Sequence, residues 1–207
     1  MADAGRVIAG TARGVRLVAP GEGTRPLSDR VKQVLFATLE GGSLGSWPVA
    51  FLDLFAGSGA AGIEALSRGA GRVLFVERDA AAVSVIRENL RRAASSAAVG
   101  ERAAMVIKGD VLRVLRAAPP ARGGAPFGAA LVDPPYGSAD MLGALEALGE
   151  ARLGWLGPDA VVVAKHFWRE PPPARIGQLA STRERRFGET MLTFYRREAS
   201  QPGATPS

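Results

Sequence analysis

The stretch that decides the fold reads DLFAGSGAAG and covers residues 53–62. It follows an apolar, strand-like run over residues 49–54 and leads into a helical pattern over residues 60–68. Glycines let the backbone turn sharply and come close to a ligand, and a helix that begins there has N–H groups without intrahelical partners. This order of strand, glycine turn and helix predicts a ligand-binding turn at the edge of an α/β sheet.

Strand-like and helical segments alternate from residue 49 onward. The predicted strands are 49–54, 72–77, 104–108, 128–133 and 160–165. The predicted helices are 60–68, 79–94, 110–118 and 139–149. Such alternation is typical of a mostly parallel sheet covered by helices on both faces. The chain then changes character, because residues 179–187 and 190–197 predict an antiparallel hairpin that turns near Gly188.

The first 45 residues have a different pattern from the rest. Val7-Ile8 and residues 15–18 predict a short β-ribbon, and Ser28 is the expected N-cap of a helix that ends at Gly41-Gly42-Ser43. We therefore predict an N-terminal extension over residues 1–45 and a main domain over 46–198. Residues 199–207 are polar and contain proline and glycine, which predicts a disordered tail.

Composition excludes several classes of chemistry. The 207 residues contain no cysteine and one histidine, so disulfides, cysteine-ligated metals, thiolate nucleophiles and multi-histidine metal sites are excluded, and no metal is expected. Methylation at C5 of a pyrimidine usually needs a cysteine nucleophile, so this reaction is excluded as well. No apolar run approaches the ~18–20 residues that span a bilayer, and no signal peptide is evident, so a cytoplasmic protein without membrane contact is expected. The net charge of +6 favours polyanionic partners.

Acidic residues at the predicted strand ends indicate which ligand the glycine turn binds. Asp53 would repel a pyrophosphate but suits a cation such as the amino-acid end of S-adenosylmethionine. Glu77 can accept hydrogen bonds from ribose hydroxyls, although NAD-binding proteins place an acid there too. Asp110 can accept from an adenine amino group or cap a helix. The candidate cofactor-binding residues are Asp53, Phe55, Ala56, Gly57, Ser58, Gly59, Glu77, Arg78, Asp110, Val111 and Asp133.

A second motif, Asp133-Pro134-Pro135-Tyr136, ends the fourth predicted strand and carries the candidate catalytic residues. The lone pair of an amino group on a nucleic-acid base is delocalised into the ring, so this nitrogen is a poor nucleophile. The Asp133 carboxylate and the Pro134 carbonyl can each accept one N–H, which orients the nitrogen and stabilises its developing positive charge. Pro135 stiffens the turn, and Tyr136 can stack on an extruded base. The motif predicts methyl transfer to an exocyclic amino nitrogen.

Basic residues crowd the N-terminal extension and are candidates for contact with a nucleic-acid backbone. A solvated basic face without a partner is the alternative. The candidate RNA-binding residues are Arg6, Arg13, Arg16, Arg25, Arg30 and Lys32.

These stretches together resemble the RsmD family of bacterial 16S ribosomal RNA guanine-N2 methyltransferases. The resemblance covers residues 6–197 and is carried by RVIAG (6–10), Arg13-Gly14, TRPLSDRV (24–31), residues 53–70, DPPY (133–136) and RFGET (186–190). It implies a Rossmann-like class I methyltransferase fold with a seven-stranded, mostly parallel sheet. It also implies S-adenosylmethionine as donor, guanine N2 in 16S rRNA as acceptor, and a monomer acting on the small subunit or its assembly intermediate. The connection from residue 167 to 173 looks particular to this chain.

Three alternatives remain open on the residues alone. The DPPY chemistry does not choose guanine N2 over adenine N6 or cytosine N4, so a DNA or RNA adenine-N6 methyltransferase is the main alternative. The glycine pattern also matches a dinucleotide-binding oxidoreductase, which would leave residues 133–136 unexplained. The third alternative is an RNA-binding module without catalysis.

Overall fold

The computed structural model describes residues 3–21, 27–43, 50–96, 103–121 and 126–198, so Arg25 and the predicted tail 199–207 lie outside the described residues. The strands in this part of the chain are β1 Asp3–Arg6, β2 Arg16–Val18, β3 Ala50–Leu54, β4 Arg72–Glu77, β5 Ala104–Lys108, β6 Phe127–Val132, β7 Leu156–Phe167, β8 Arg175–Ile176, β9 Leu179–Phe187 and β10 Thr190–Arg197. The helices are α1 Asp29–Thr38, α2 Ala60–Ser67, α3 Ala80–Ser96, α4 Val111–Leu115 and α5 Asp140–Gly149. None of these helices is long and apolar enough to cross a membrane.

One sheet of eight strands in the order β5-β4-β3-β6-β7-β10-β9-β8 forms the centre of the molecule. Strands β3 to β7 are parallel, and β10 runs antiparallel between β7 and β9. The predicted mostly parallel sheet with a C-terminal hairpin is confirmed. The two-residue strand β8 adds an edge beyond the seven strands that were predicted.

Alternate strand residues point into separate cores on the two faces of the sheet, as the period of two in a strand requires. In β6, Ala129 and Leu131 pack into the core beside α1 and α2, whereas Ala130 and Val132 pack into the core beside α4 and α5. Burial on both faces explains why the parallel strands are continuous apolar runs in the sequence.

The N-terminal segment packs on the first of these cores. The buried carboxylate of Glu64 in α2 accepts hydrogen bonds from the amides of Ile8 and Ala9 at 2.8 and 3.0 Å. Asn89 of α3 exchanges two hydrogen bonds of 2.9 Å with the backbone of Val18. The segment is therefore held against α2 and α3 by buried polar contacts as well as by apolar packing.

Three predicted boundaries are wrong, two of them for a tertiary reason. The first ribbon strand is Asp3–Arg6 rather than Val7-Ile8, because the Ile8 and Ala9 amides bond to Glu64 instead of continuing the ladder. Strand β7 extends beyond 160–165 at both ends, because Leu156 pairs with Phe127 of β6 and residues up to Phe167 pair with β10. Helix α4 is shorter than 110–118 and ends at Leu115, while the N-cap role of Ser28 is confirmed by its bond from the Val31 amide.

Candidate active site

A cavity of about 640 Å³ opens at the carboxyl ends of β3, β4 and β6. The sheet order reverses between β3 and β6, and open α/β sheets bind ligands at such a switch point. Asp53, Glu77 and Asp133 lie at or just beyond the ends of these strands and line the cavity. Ala4 and Ala19 of the N-terminal segment also line the cavity, so this segment helps to enclose the site.

The glycine turn forms one wall of the cavity and has an unusual backbone. Phe55 is the non-glycine residue with positive φ in the described chain, at 58°, and Gly57 and Gly59 have φ of 55° and 75°. A bulky residue in the left-handed region costs free energy and persists where the surroundings hold it, often at functional sites. The Gly57 amide donates to Glu77 Oε2 at 2.9 Å, which joins this turn to the end of β4.

The last two glycines of the turn serve the packing of α2. Gly59 is the N-cap of α2 and is buried, and it is not among the residues that line the cavity. A Cβ on Gly62 would lie 2.2 Å from Cε1 of Phe75 on β4. The prediction that Gly59 contacts the cofactor is therefore not supported. Phe55, Ala56, Gly57 and Ser58 do line the cavity.

Asp53 is the most buried of the three carboxylates, with 2% of its surface exposed. Its Oδ2 accepts a hydrogen bond from the Gly62 amide at 2.8 Å. Burial raises the pKa of Asp53 to about 8; the Gly62 bond lowers that pKa, and the negative charges of Asp133 and Glu77 raise it. A cationic ligand group in this cavity would lower the pKa of Asp53 again, so binding of a cation and ionisation of Asp53 favour each other.

The other predicted cofactor residues divide into two groups. Each Glu77 carboxylate oxygen accepts one backbone amide, from Gly57 and from Asp79, and the remaining lone pairs can serve a ligand. Arg78 and Val111 also line the cavity. Asp110 does not, because its carboxylate caps α4 by accepting from the Arg113 amide at 2.9 Å. The contact between Asp110 and adenine stays a prediction, because a carboxylate that caps a helix through one oxygen can still accept a hydrogen bond at the other.

The residues of the second motif lie together at the mouth of the cavity. Asp133 Oδ1 is 2.6 Å from Lys165 Nζ, and the side chain of Asp133 keeps 24% of its surface exposed. The Tyr136 hydroxyl is 2.9 Å from Thr190 Oγ1, and its ring stays 39% exposed. The Pro135 carbonyl accepts from the Ser138 amide, whereas no described donor bonds to the Pro134 carbonyl. That carbonyl is available to a substrate amine.

Lys165 is a candidate functional residue that sequence reasoning missed, because it lines the cavity and contacts Asp133. It lies near the end of β7, beside β6, and its ammonium is 5.3 Å from the centroid of the Tyr136 ring. Burial raises the pKa of Asp133, whereas the charge and hydrogen bond of Lys165 lower it. A signal was present, because Lys165 ends the predicted strand 160–165, and the ends of neighbouring parallel strands meet at one edge of the sheet.

Four of the predicted RNA contacts are exposed, and one prediction is wrong. Arg6 and Arg16 form surface ion pairs with Asp29 and Asp3 at 3.0 and 3.7 Å. Arg13 is exposed, and Arg30 lies 5.8 Å from the Phe187 ring centroid. Lys32 is fully buried, and its ammonium bonds to the Arg6 carbonyl and to Asp29 at 3.1 Å. It cannot reach a phosphate.

The fold and the position of the cavity define a class I methyltransferase, a class that uses S-adenosylmethionine as methyl donor. The solved structure titled "Putative methyltransferase yhhF from Escherichia coli" superposes with a TM-score of 0.75 at 30% identity and covers 94% of this chain and 98% of that one. The family profile described as "Conserved hypothetical protein 95" matches residues 5–196. This chain belongs to that family, the RsmD family that its motifs resemble.

Two curated relatives span nearly the whole chain. "Putative rRNA methyltransferase YlbH" of Bacillus subtilis is 34% identical over 197 residues, which cover 93% of this chain and 98% of the relative. "Ribosomal RNA small subunit methyltransferase D" of Escherichia coli K12 is 31% identical over 199 residues, covering 94% of this chain and 90% of the relative.

Proposed function

We propose that this protein transfers a methyl group from S-adenosylmethionine to the N2 amino group of a guanine in 16S rRNA of the small ribosomal subunit. The observation that carries the proposal is a single cavity. The acidic residues, the glycine turn and the DPPY residues all line it. The names of the curated relatives support rRNA as the substrate class. We further propose that the protein acts as a monomer in the cytoplasm, where small subunits are assembled.

The charge of the cavity favours S-adenosylmethionine over a dinucleotide. Asp53, Glu77 and Asp133 line it, and the sulfonium and ammonium of S-adenosylmethionine favour the ionised forms of these carboxyl groups, whereas the pyrophosphate of NAD would disfavour them. Asp53 and Glu77 would hold the amino-acid and ribose ends. When bound, S-adenosylmethionine supplies an electrophilic methyl group. An NAD-dependent oxidoreductase is correspondingly disfavoured.

The DPPY residues prepare the acceptor nitrogen. The Asp133 carboxylate and the Pro134 carbonyl accept its two N–H groups, and the exposed Tyr136 ring stacks on the base. Lys165 bonds to Oδ1 of Asp133, and no described donor bonds to Oδ2, so Oδ2 can accept the incoming amino group while Lys165 stays in place. The positive charge that develops on the nitrogen is stabilised by both acceptors until its proton is lost to solvent.

We propose Lys165 as a positioning residue that keeps Asp133 ionised. Asp133 must be deprotonated to accept an N–H, so activity falls as the pH drops through its pKa. Lys165→Met removes the group that lowers this pKa while burial still raises it, and the acidic limb of the pH profile of kcat/KM should move to higher pH. Lys165→Arg keeps the charge and should leave the limb near its original position. Coincident pH profiles for Lys165→Met and the unmodified enzyme would refute the role.

Mass mapping of methylated nucleotides tests the proposed function. Small subunits and naked 16S rRNA from cells lacking the protein, together with duplex DNA, are incubated with enzyme and labelled S-adenosylmethionine. The expected product is N2-methylguanosine at one position of 16S rRNA. N6-methyladenine in either nucleic acid would establish the alternative acceptor instead, since the DPPY chemistry serves both.

The exposed arginines of the N-terminal segment are expected to contact the rRNA backbone. Arg13→Gln and Arg16→Gln should each weaken RNA binding and reduce the slope of log affinity against log salt by about one. Lys32→Met is the matched control, because Lys32 is buried and its charge faces Asp29. Filter binding across a salt series measures the slopes. Slopes that do not change in the two arginine variants would mean that this face is merely solvated.

A further inference from the structure

We propose that Trp168, Arg169 and Arg186, here called the tryptophan platform, bind an unpaired nucleotide next to the target base. The proposal rests on the proposed function, since it assumes an RNA substrate. None of the three residues belongs to the cofactor site or the DPPY motif. Trp168 and Arg169 lie in the connection after β7, and Arg186 lies on β9.

Both arginines stack on one indole ring. The guanidinium carbon of Arg186 is 3.8 Å from the Trp168 ring centroid, and that of Arg169 is 4.8 Å from it. The Trp168 amide donates to the Glu189 carbonyl at 3.0 Å, and Nε of Arg186 donates to the Gly188 carbonyl at 2.9 Å. These backbone bonds hold the ring and the guanidinium in place before any ligand arrives, so less side-chain entropy is lost on binding.

The platform continues the aromatic surface of the active site. The Tyr136 ring centroid is 6.3 Å from that of Phe167, which in turn is 6.3 Å from that of Trp168. Tyr136 is also joined to the hairpin through Thr190. A strand of unpaired RNA whose base enters the cavity over Tyr136 would therefore meet Trp168 next along the rim.

The chemistry of the platform suits single-stranded RNA better than duplex. Unpaired bases stack on aromatic rings and on arginine planes, and their phosphates pair with guanidinium groups. Arg169 and Arg186 are exposed and stack on an indole, so their outer faces and terminal N–H groups remain available to a base or phosphate. Acidic residues nearby, Glu170 and Glu189, limit the net charge, so stacking rather than charge alone should govern recognition.

One arginine of the N-terminal segment, Arg30, contacts the same hairpin. Arg30 lies over the ring of Phe187, and Phe187 pairs with Thr190 across the hairpin. The RNA path we propose therefore runs from the N-terminal segment, across Tyr136, to the tryptophan platform. Base recognition at Tyr136 would be flanked by backbone contacts on one side and by stacking on the other.

Fluorescence anisotropy with a short single-stranded RNA of mixed sequence, and with its duplex, tests the platform. Trp168→Ala removes the ring that supports both guanidinium groups and should weaken binding of the single strand by about 5- to 150-fold, the scale of one lost stacking contact, and Trp168→Phe should restore part of it. Arg186→Gln should also weaken binding, and its side chain is exposed, so its effect does not depend on folding. Arg72→Gln is the control, because the exposed Arg72 begins β4, at the opposite end of that strand from the cavity.

Either of two outcomes would overturn the proposal. In the first, the Trp168→Ala and Arg186→Gln variants bind the single strand as tightly as Arg72→Gln does. In the second, the unmodified protein binds the single strand and the duplex equally. Kinetic assays on small subunits should show a raised KM in Trp168→Ala with kcat and S-adenosylmethionine affinity retained. If the unmodified protein binds single-stranded RNA through Trp168 but methylates no RNA, the proposed function fails while the platform stands.

Discussion

Replacing Asp133 by alanine is expected to lower kcat by about a thousandfold or more, because a preorganised group that stabilises transition-state charge contributes on this scale. The variant loses the carboxylate that orients the acceptor amine and leaves Lys165 without its 2.6 Å partner. Affinity for S-adenosylmethionine should stay within a few fold, since Asp53, Glu77 and the glycine turn are intact. Single-turnover methylation and calorimetry measure the two quantities separately.

Asp133→Asn separates charge from geometry at the same position. The amide keeps one acceptor oxygen of similar shape but loses the negative charge, so its activity should lie between those of the alanine variant and the unmodified enzyme. Asp159→Ala removes an exposed carboxylate at the start of β7, far from the DPPY motif, and should leave kcat unchanged. Appreciable turnover in Asp133→Ala would show that the assigned chemistry is wrong.

Gly62→Ala is expected to destabilise the protein by about 1–3 kcal/mol, although alanine is ordinarily the better helix former. The added Cβ would lie 2.2 and 2.6 Å from two ring carbons of Phe75 and 2.8 Å from Cγ1 of Val73. Both side chains are fully buried and cannot retreat without opening the core between α2 and β4. The free energy of unfolding from urea titration measures the loss.

The same substitution should also weaken cofactor binding. The Gly62 amide donates to Asp53, and a displaced α2 would change the position of that bond and of the glycine turn. Gly71→Ala is the matched control, because its added Cβ meets nothing within 4 Å, and its stability should change by no more than about 0.5 kcal/mol. Equal or greater stability of Gly62→Ala would contradict the close packing of α2 on β4.

Much of the architecture follows from local pattern. The predicted hairpin over 179–187 and 190–197 coincides with β9 and β10, and the predicted strands 72–77 and 104–108 coincide with β4 and β5. Apolar runs of strand length and the Gly188 turn are local signals, so neighbouring residues suffice to predict them. The boundaries that failed, at β1 and β7, are those set by a partner elsewhere in the chain.

The glycine turn shows what a sequence motif predicts and what it leaves undetermined. Its three glycines look equivalent in the sequence, yet Gly57 faces the cavity, Gly59 begins α2 and Gly62 allows α2 to approach Phe75. The motif predicted a turn whose backbone comes close to a ligand. At Gly62 the backbone instead comes close to the side chain of Phe75. Local sequence does not distinguish a ligand from a packed ring.

The sequence by itself determined the order of strands and helices, the glycine turn, the DPPY motif and the family, because periodicity and the conformational limits of glycine and proline act between neighbours. Only the tertiary structure decided that Lys165 meets Asp133, that Lys32 is buried against Asp29, and that Arg186 stacks on Trp168. The first and third of these pairs join separate strands or connections, and the burial of Lys32 depends on the ribbon that packs over α1. Burial and charge pairing depend on which segments pack together, and this is settled when the sheet and its two cores form.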